Sequence, residues 1–283
     1  MENNLLVKWL FDTKAFRVCP ENRPFWYTSG TIGPYYINTH FLYGSEEKAE
    51  TLLKIIDGCK QDRLGCPGKL LELIKKNYEN DDIFKGLIDS MAGFIRNNIN
   101  VDEIDYISGG ERRDWFFSLI IADFLGKPHI TIFKDLTAVL TDGGTTCEMT
   151  SVKGARVLHI ADLITEASSY ERAWIPAVES FGGKIAWSVV VVDRKQGGKE
   201  LLGKYGVESL AMVSIDGGLF SKALEMGLVS PVQYDMLTEY ARDPKGCMKK
   251  FLSHNPEFMV NSLKADAKTV ERAKLCIEKK IYD

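Results

Sequence analysis

Metal-binding and disulfide patterns are what this sequence most plainly lacks. Its six cysteines, Cys19, Cys59, Cys66, Cys147, Cys247 and Cys276, form no Cys-x-x-Cys pair, and its four histidines stand apart. Neither a disulfide framework nor a structural zinc site is indicated, so reduced thiols and a cytoplasmic location are expected. No apolar run approaches the ~18 residues of a membrane helix, and the first residues carry no basic region followed by an apolar core and a small-residue cleavage site. No membrane association is expected. Charge of one sign is missing too: 36 basic and 39 acidic residues are mixed along the chain, which gives no basic face for nucleic acid and no acidic tail. Repeats and low-complexity segments are absent. What remains is an ordinary apolar fraction of 45% over 283 residues, enough for one large domain with additions or for two small ones.

The most informative stretch runs from Lys153 to Asp193 and reads as strand, loop, helix, strand. Val157-Leu158-His159-Ile160 is a short apolar run suited to a buried parallel strand. Asp162-Leu163-Ile164-Thr165-Glu166-Ala167-Ser168-Ser169 is a loop of small and hydroxyl residues opening a helix that ends at Gly182-Gly183. Ile185 to Val192 is the second strand of the βαβ unit. In such a loop the backbone N–H groups and the positive helix end converge and can hold a phosphate. A capped strand-to-helix turn also occurs in α/β proteins that bind none. His159, inside the apolar strand, is read as a satisfied core residue rather than a ligand.

Around this unit the rest of the chain alternates in kind. Residues 2–12 have helical spacing. Phe16 to Tyr43 is rich in aromatic residues, Gly and Pro and reads as short strands around a turn at Ser29-Gly30, serving as a flap, a dimer contact, a site wall or a plain surface hairpin. Ser45-Glu46-Glu47 caps a helix to about Asp57, and Cys59 to Asn100 is a helical insertion with packing stripes and no evident chemistry. Ile104 to Ile107 is a strand, and Ser108-Gly109-Gly110-Glu111-Arg112-Arg113-Asp114 is read as a flexible cationic loop at its carboxyl end, the edge where open α/β sheets bind ligands. His129 to Phe133 is another strand. Lys134 to Ser151 is expected as a mobile hairpin lid over the sheet. Asp193-Arg194-Lys195-Gln196-Gly197-Gly198 follows the central unit, Ser209 to Ile215 is the last strand, and helices follow, with Ser230-Pro231 starting one and Asp243-Pro244 ending it. The final amphipathic helix, Asp266 to Lys280, is expected to cover the sheet or a partner subunit. The expected class is α/β, a Rossmann-like parallel sheet of about five strands, divided as 1–45 (N-terminal helix and hood), 46–100 (helical insertion), 101–216 (core) and 217–283 (helical extension).

Three of these segments, in this order, resemble the orotate phosphoribosyltransferases of the type I phosphoribosyltransferase fold. Ser29-Gly30-x-x-Gly33-Pro34-Tyr35-Tyr36-Ile37-Asn38 resembles that family's hood. Val157 to Ser169 resembles its phosphoribosyl pyrophosphate loop, and Val192 to Gly198 resembles the strand end whose arginine contacts the pyrimidine. The resemblance covers Trp9 to Tyr43 and Asp105 to Ile215. It implies that Tyr35 and Tyr36 flank the base and that Arg194 donates to a pyrimidine carbonyl. Thr165 would lie between base and phosphate, Asp162 would accept from a ribose hydroxyl, and Ser168 and Ser169 would hold the 5′-phosphate. Arg112, Arg113 and Lys134 would be the cations for pyrophosphate. The pattern departs at Ala161-Asp162, where the family has two acids, at Thr165-Glu166-Ala167-Ser168, where it has Thr-x-Gly-Thr or Thr-Gly-Gly-Ser, at Ile32, where the hood lysine would be, and in the segment after Lys134, which has no histidine.

The implied activity is Mg²⁺-dependent transfer of ribose 5-phosphate from phosphoribosyl pyrophosphate to a pyrimidine base, in nucleotide biosynthesis or salvage. Substrate oxygens rather than protein ligands would hold the metal, and a homodimer is the implied assembly. Two other readings stand beside it: a non-catalytic sensor that binds a nucleotide or base on the same fold, and a Rossmann-like protein whose likeness is structural only.

Overall fold

A computed structural model of the chain describes residues 2–21 and 23–282. The N-terminal helix α1 (Glu2–Asp12) leads into four short strands, β1 (Phe16–Val18), β2 (Phe25–Trp26), β3 (Ile32–Gly33) and β4 (Tyr35–Ile37). After a 3-10 turn at Thr39–Tyr43 come three helices, α2 (Glu46–Cys59), α3 (Cys66–Asn80) and α4 (Asp82–Asn98). The alternating region holds β5 (Tyr106–Gly110), α5 (Trp115–Leu125), β6 (His129–Ile132), β7 (Ala138–Asp142), β8 (Thr145–Glu148) and β9 (Arg156–Ile164). It continues with α6 (Ile175–Ser180), β10 (Lys184–Asp193), α7 (Gly198–Lys204) and β11 (Glu208–Ser214). Five helices follow: α8 (Gly217–Glu225), α9 (Pro231–Arg242), α10 (Pro244–His254), α11 (Pro256–Ser262) and α12 (Ala267–Glu278). None of the described helices is long and apolar enough to cross a membrane.

By contacts the described residues gather into two units. The first joins the residues up to Lys14 with Thr39–Ile215; the second joins Ala15–Asn38 with those from Asp216 onward. Helix α1 thus belongs with the sheet, and the hood strands belong with the C-terminal helices.

The first unit is built on a seven-stranded sheet of order β11-β10-β9-β5-β6-β7-β8. The five expected strands, β5, β6, β9, β10 and β11, are mutually parallel where they pair. Strand order steps one way from β5 to β6 and the other way from β9 to β10, and right-handed crossovers therefore set α5 and α6 on opposite faces. On one face Ile175, Ala177 and Val178 of α6 pack on Val157, Ile185 and Val190. On the other, α5 is apolar all round, with every residue from Trp115 to Ala122 buried, because it lies between the sheet and helices α3 and α4. The helical insertion, whose breaks at Pro67 and Asp81 agree with the sequence reading, is therefore the outer wall of the core.

Two expectations for this unit are corrected. Lys134 to Ser151 is no lid: β7 and β8 extend the sheet as antiparallel edge strands, with His129 opposite Thr141 and Ile132 opposite Ala138. That register carries the Gly143-Gly144 turn to the amino end of β6, the edge away from the strand ends that bind ligands. Gly109 and Gly110 are likewise not flexible. Both are buried in β5, and a Cβ on them would stand 2.1 Å from Ser118 Oγ and 2.3 Å from the Trp174 ring. They are glycines because other atoms come close.

In the second unit β2 and β3 form the expected hairpin, with Gly30 at φ +83 in its turn, and β4 pairs with β1. The hairpin is covered by the C-terminal helices. Trp26 stacks on Phe258 at 5.7 Å and donates from Nε1 to Ser262 Oγ at 3.0 Å. Arg272 donates to the Trp26 carbonyl, and the Tyr282 hydroxyl accepts from the Ile32 N–H. Ala273 and Cys276 of α12 join Trp26 and Ile32 in one core. The final helix, expected to cover the sheet or a partner subunit, covers the hood, because Trp26 and Ile32 are the apolar surface its small residues fit.

Candidate functional site

The direction of strand order reverses between β9 and β5, and open α/β sheets bind ligands at the carboxyl ends of the strands beside such a reversal. A cavity of about 330 Å³ opens there, lined from the β5 side by Glu111, Arg112, Arg113 and Asp114 and from the β9 side by residues including Asp162, Thr165, Ser168 and Ser169. β9 runs to Ile164, so Asp162 is part of the strand and not of the loop assigned to it. The turn beyond it holds Ala167 at φ +57, a conformation that costs an L residue roughly 1–2 kcal/mol. The resembling family places glycine at this point, and the backbone explains why. The chain then makes a π-type turn at Tyr170–Trp174 before α6 begins, so the helix behind the loop is looser at its start than the regular one expected.

Beneath the cavity lies a buried polar group of side chains. Asp114 accepts from the backbone N–H of Gly110 and of Asp162, both at 3.1 Å, and so ties the ends of β5 and β9 together. His159 Nε2 lies 3.6 Å from Asp114 Oδ2, and its Nδ1 is 2.9 Å from Ser108 Oγ. His159 is fully buried as expected, though only its Nδ1 has a hydrogen-bond partner. Asp162 is buried, and its Oδ2 has no hydrogen-bond partner. Burial, with the charge of Asp114 beside it, pushes the Asp162 carboxyl up to about 7, against the opposing pull of Arg113. A buried acceptor left open at a cavity wall is a place for a ligand hydroxyl or a cation.

The sequence-derived residues divide. Arg112, Arg113, Asp162, Thr165, Ser168 and Ser169 come together around the cavity. Arg112 is engaged by Asp57; among the described residues no ion pair engages Arg113, which is exposed. Ser168 is oriented by Arg172, whose guanidinium donates to its hydroxyl and to its carbonyl, each at 3.2 Å. Glu166 is exposed and does not line the cavity. Lys134 is exposed and outside the lining, although its backbone N–H donates to Glu111 at 3.0 Å. Arg194 is not in the lining either, but its N–H donates to the Ile164 carbonyl and that of Gly198 to Thr165, which seats the β10 end against the β9 end. Tyr35 and Tyr36 belong to the second unit. There Tyr35 is buried against Phe16 at 5.2 Å and Tyr240, while Tyr36 meets Phe25 and Tyr27 edge-on and is half-buried.

Four contributors escape a reading of the sequence. Asp114 stands in the sequence only as the end of a loop, and its bond to Asp162 spans 48 positions. Arg172 carries a usable signal, being four residues past Ser168 on a helical path. Trp174 lines the cavity and stacks near His159 at 6.1 Å. Lys60 lies in the insertion and reaches Glu111 across 51 positions. Cys59 and Cys66, seven positions apart in the sequence, bring their sulfurs to 3.0 Å.

No family model matches the chain. Among curated proteins it is similar to an orotate phosphoribosyltransferase of Sulfurisphaera tokodaii, 28% identical over 159 residues, covering 56% of this chain and 77% of that one. An adenine phosphoribosyltransferase of Agathobacter rectalis is 33% identical over 128 residues, covering 41% of this chain and 72% of that one. Of solved structures, the UMP synthase of Leishmania donovani superposes with a TM-score of 0.54 at 18% identity. That match takes in 82% of this chain, which spans 40% of the length of the synthase, and it speaks for the fold. With the sheet order, the site at its reversal and these relatives together, the chain belongs to the type I phosphoribosyltransferase family and is orotate phosphoribosyltransferase-like.

Proposed function

We propose that this chain catalyses Mg²⁺-dependent transfer of ribose 5-phosphate from phosphoribosyl pyrophosphate to a pyrimidine base of the orotate type. The observation that carries the reading is the cavity at the strand reversal, where an open buried carboxyl, the hydroxyls of Thr165, Ser168 and Ser169, and the guanidinium of Arg113 converge. Ser168 and Ser169 with neighbouring N–H groups take the 5′-phosphate, Thr165 stands between phosphate and base, and Asp162 accepts from a ribose hydroxyl. Arg113, with Arg112 and Lys134 at the same strand ends, meets the pyrophosphate. Arg194 serves the base, a role the resemblance also implies for the hood tyrosines Tyr35 and Tyr36.

In the reaction the bond from C1′ to the pyrophosphate oxygen breaks, its electron pair leaving on pyrophosphate. A ring nitrogen of the base bonds to C1′ and passes its proton to the departing pyrophosphate or to solvent. No protein nucleophile is needed; the residues position the partners and stabilise separated charge. Among the described residues no three His, Cys, Asp or Glu side chains gather as a metal site. A divalent ion bound with the substrate would find Asp162 as the carboxylate nearest the sugar and would supply neutralising charge to the leaving group. A cytoplasmic homodimer completes the proposal, supported by the resemblance.

The test is pyrophosphate release from phosphoribosyl pyrophosphate with Mg²⁺ and orotate, with Asp162→Asn as control. Release that requires orotate and is lost in the variant is expected. Release with adenine but not orotate would keep the transfer and change the base. No release with either, together with tight binding of orotidine 5′-phosphate, would overturn the catalytic reading.

A further inference from the structure

The helical insertion reaches the cavity through charge. Lys60, at the end of α2, places Nζ 2.9 Å from Glu111 Oε1 and 3.0 Å from Asp57 Oδ1. Asp57 in turn pairs through Oδ2 with Arg112. Glu111, Lys60, Asp57 and Arg112 thus form a chain of alternating sign from the cavity wall to α2 and back. The other oxygen of Glu111 accepts from the Lys134 N–H at 3.0 Å, and its own N–H donates to the Ile132 carbonyl at 2.9 Å. Both carboxylate oxygens are engaged and both point into the protein frame. Three residues on, Arg63 pairs with Asp135 and lies 4.8 Å over the Phe133 ring, which secures the same turn to the end of β6.

Glu111 is the difficulty in this arrangement. Its side chain is 7% exposed and it lines the cavity, so a phosphate-bearing ligand meets a poorly solvated carboxylate. Lys60 is the ammonium in contact with that carboxylate. It cancels the charge and draws it toward α2, while Asp57 holds Arg112 at the rim and leaves Arg113 to the ligand. Hydrogen bonds to Glu111 and Asp57 hold the Lys60 ammonium above its ordinary range, so it stays charged at neutral pH.

We propose that Lys60 is a positioning residue of the site: by pairing with Glu111 it removes a repelling carboxylate from the diphosphate position and fixes the loop that presents Arg113. The insertion, which has no counterpart in the resemblance and no chemistry of its own, then sets the site's affinity for diphosphate. This inference rests on the reading of the cavity as a phosphate site.

Binding of inorganic pyrophosphate with Mg²⁺, read by calorimetry, tests it, alongside KM for phosphoribosyl pyrophosphate and kcat. Lys60→Met is expected to weaken pyrophosphate binding by about tenfold, as one uncompensated like charge at close range implies, and to raise KM more than it lowers kcat. Adding Glu111→Gln to Lys60→Met keeps the acceptor for the Lys134 N–H and is expected to restore most of the affinity; Lys60→Arg is expected to hold it. A double variant as weak as Lys60→Met would overturn the proposal, since it would mean Lys60 does not act through Glu111. Lys60→Met binding like the parent would overturn it also. A parent chain that binds no pyrophosphate would instead sink the phosphate-site reading itself. Circular dichroism of each variant checks that the fold is kept, and recovery by the second substitution excludes a Lys60→Met chain that simply failed to fold.

Discussion

Asp162 is a carboxyl whose surroundings favour its neutral form. A group raised from 3.8 to about 7 on folding binds a proton as the chain folds, so its contribution to stability is full below pH about 4 and is lost as pH rises to about 7. Asp162→Asn removes the ionisation and is expected to raise the melting temperature at about pH 8 by several degrees while changing little at about pH 4. Thermal unfolding at the two pH values checks this; an equal shift at both would mean the carboxyl is not protonated in the fold. Arg194→Ala is expected to weaken orotate or orotidine 5′-phosphate by about ten- to a hundredfold, the worth of a hydrogen bond from a charged donor, and to leave pyrophosphate binding unchanged. Asp162, Thr165, Ser168 and Ser169 are legible in the sequence because they follow one another at the end of an apolar run, where the pattern itself announces a strand end. Asp114 and Lys60 are not, since each acts on a partner about fifty positions away and neither occupies a position that local pattern marks.

At the scale of elements, periodicity found every parallel strand and most helices, for the physical reason that each has a buried face of definite period. It misjudged what glycines and polar stretches do. Gly109 and Gly110 look like a hinge in one dimension, but they let Ser118 and Trp174 approach the strand. Gly110→Ala is expected to destabilise the first unit by about 1–3 kcal/mol through overpacking, measurable as a lower urea midpoint with an unchanged slope. The segment after Lys134 looks like a loop because its outer strand is exposed, as one side of an edge strand is bound to be. Its direction relative to β6 decides whether it could close over the site, and direction is a matter of register that composition does not carry.

For the whole molecule, the sequence reading divides the chain into consecutive blocks, and contacts do not follow them. The hood, 15–38, is completed by helices from the other end of the chain, an arrangement that no local signal encodes. Trp26→Ala is expected to cost the second unit about 3–5 kcal/mol, with hydrogen exchange in α11 and α12 rising ahead of that in β9 and β10. Uniform exchange through both units would mean that they unfold as one.

That interleaving also has a history in the making of each molecule. Ile32 and Tyr282, joined by a hydrogen bond, are 250 residues apart, so a ribosome adding ~5–20 residues per second takes tens of seconds to deliver the partner of a hairpin it made early. Throughout that interval Trp26 and Ile32 have no covering surface of their own, while the sheet of the first unit can already form. The hood's aromatic surface is made long before the helices that cover it, and until they arrive it stands open to chaperones and to other chains.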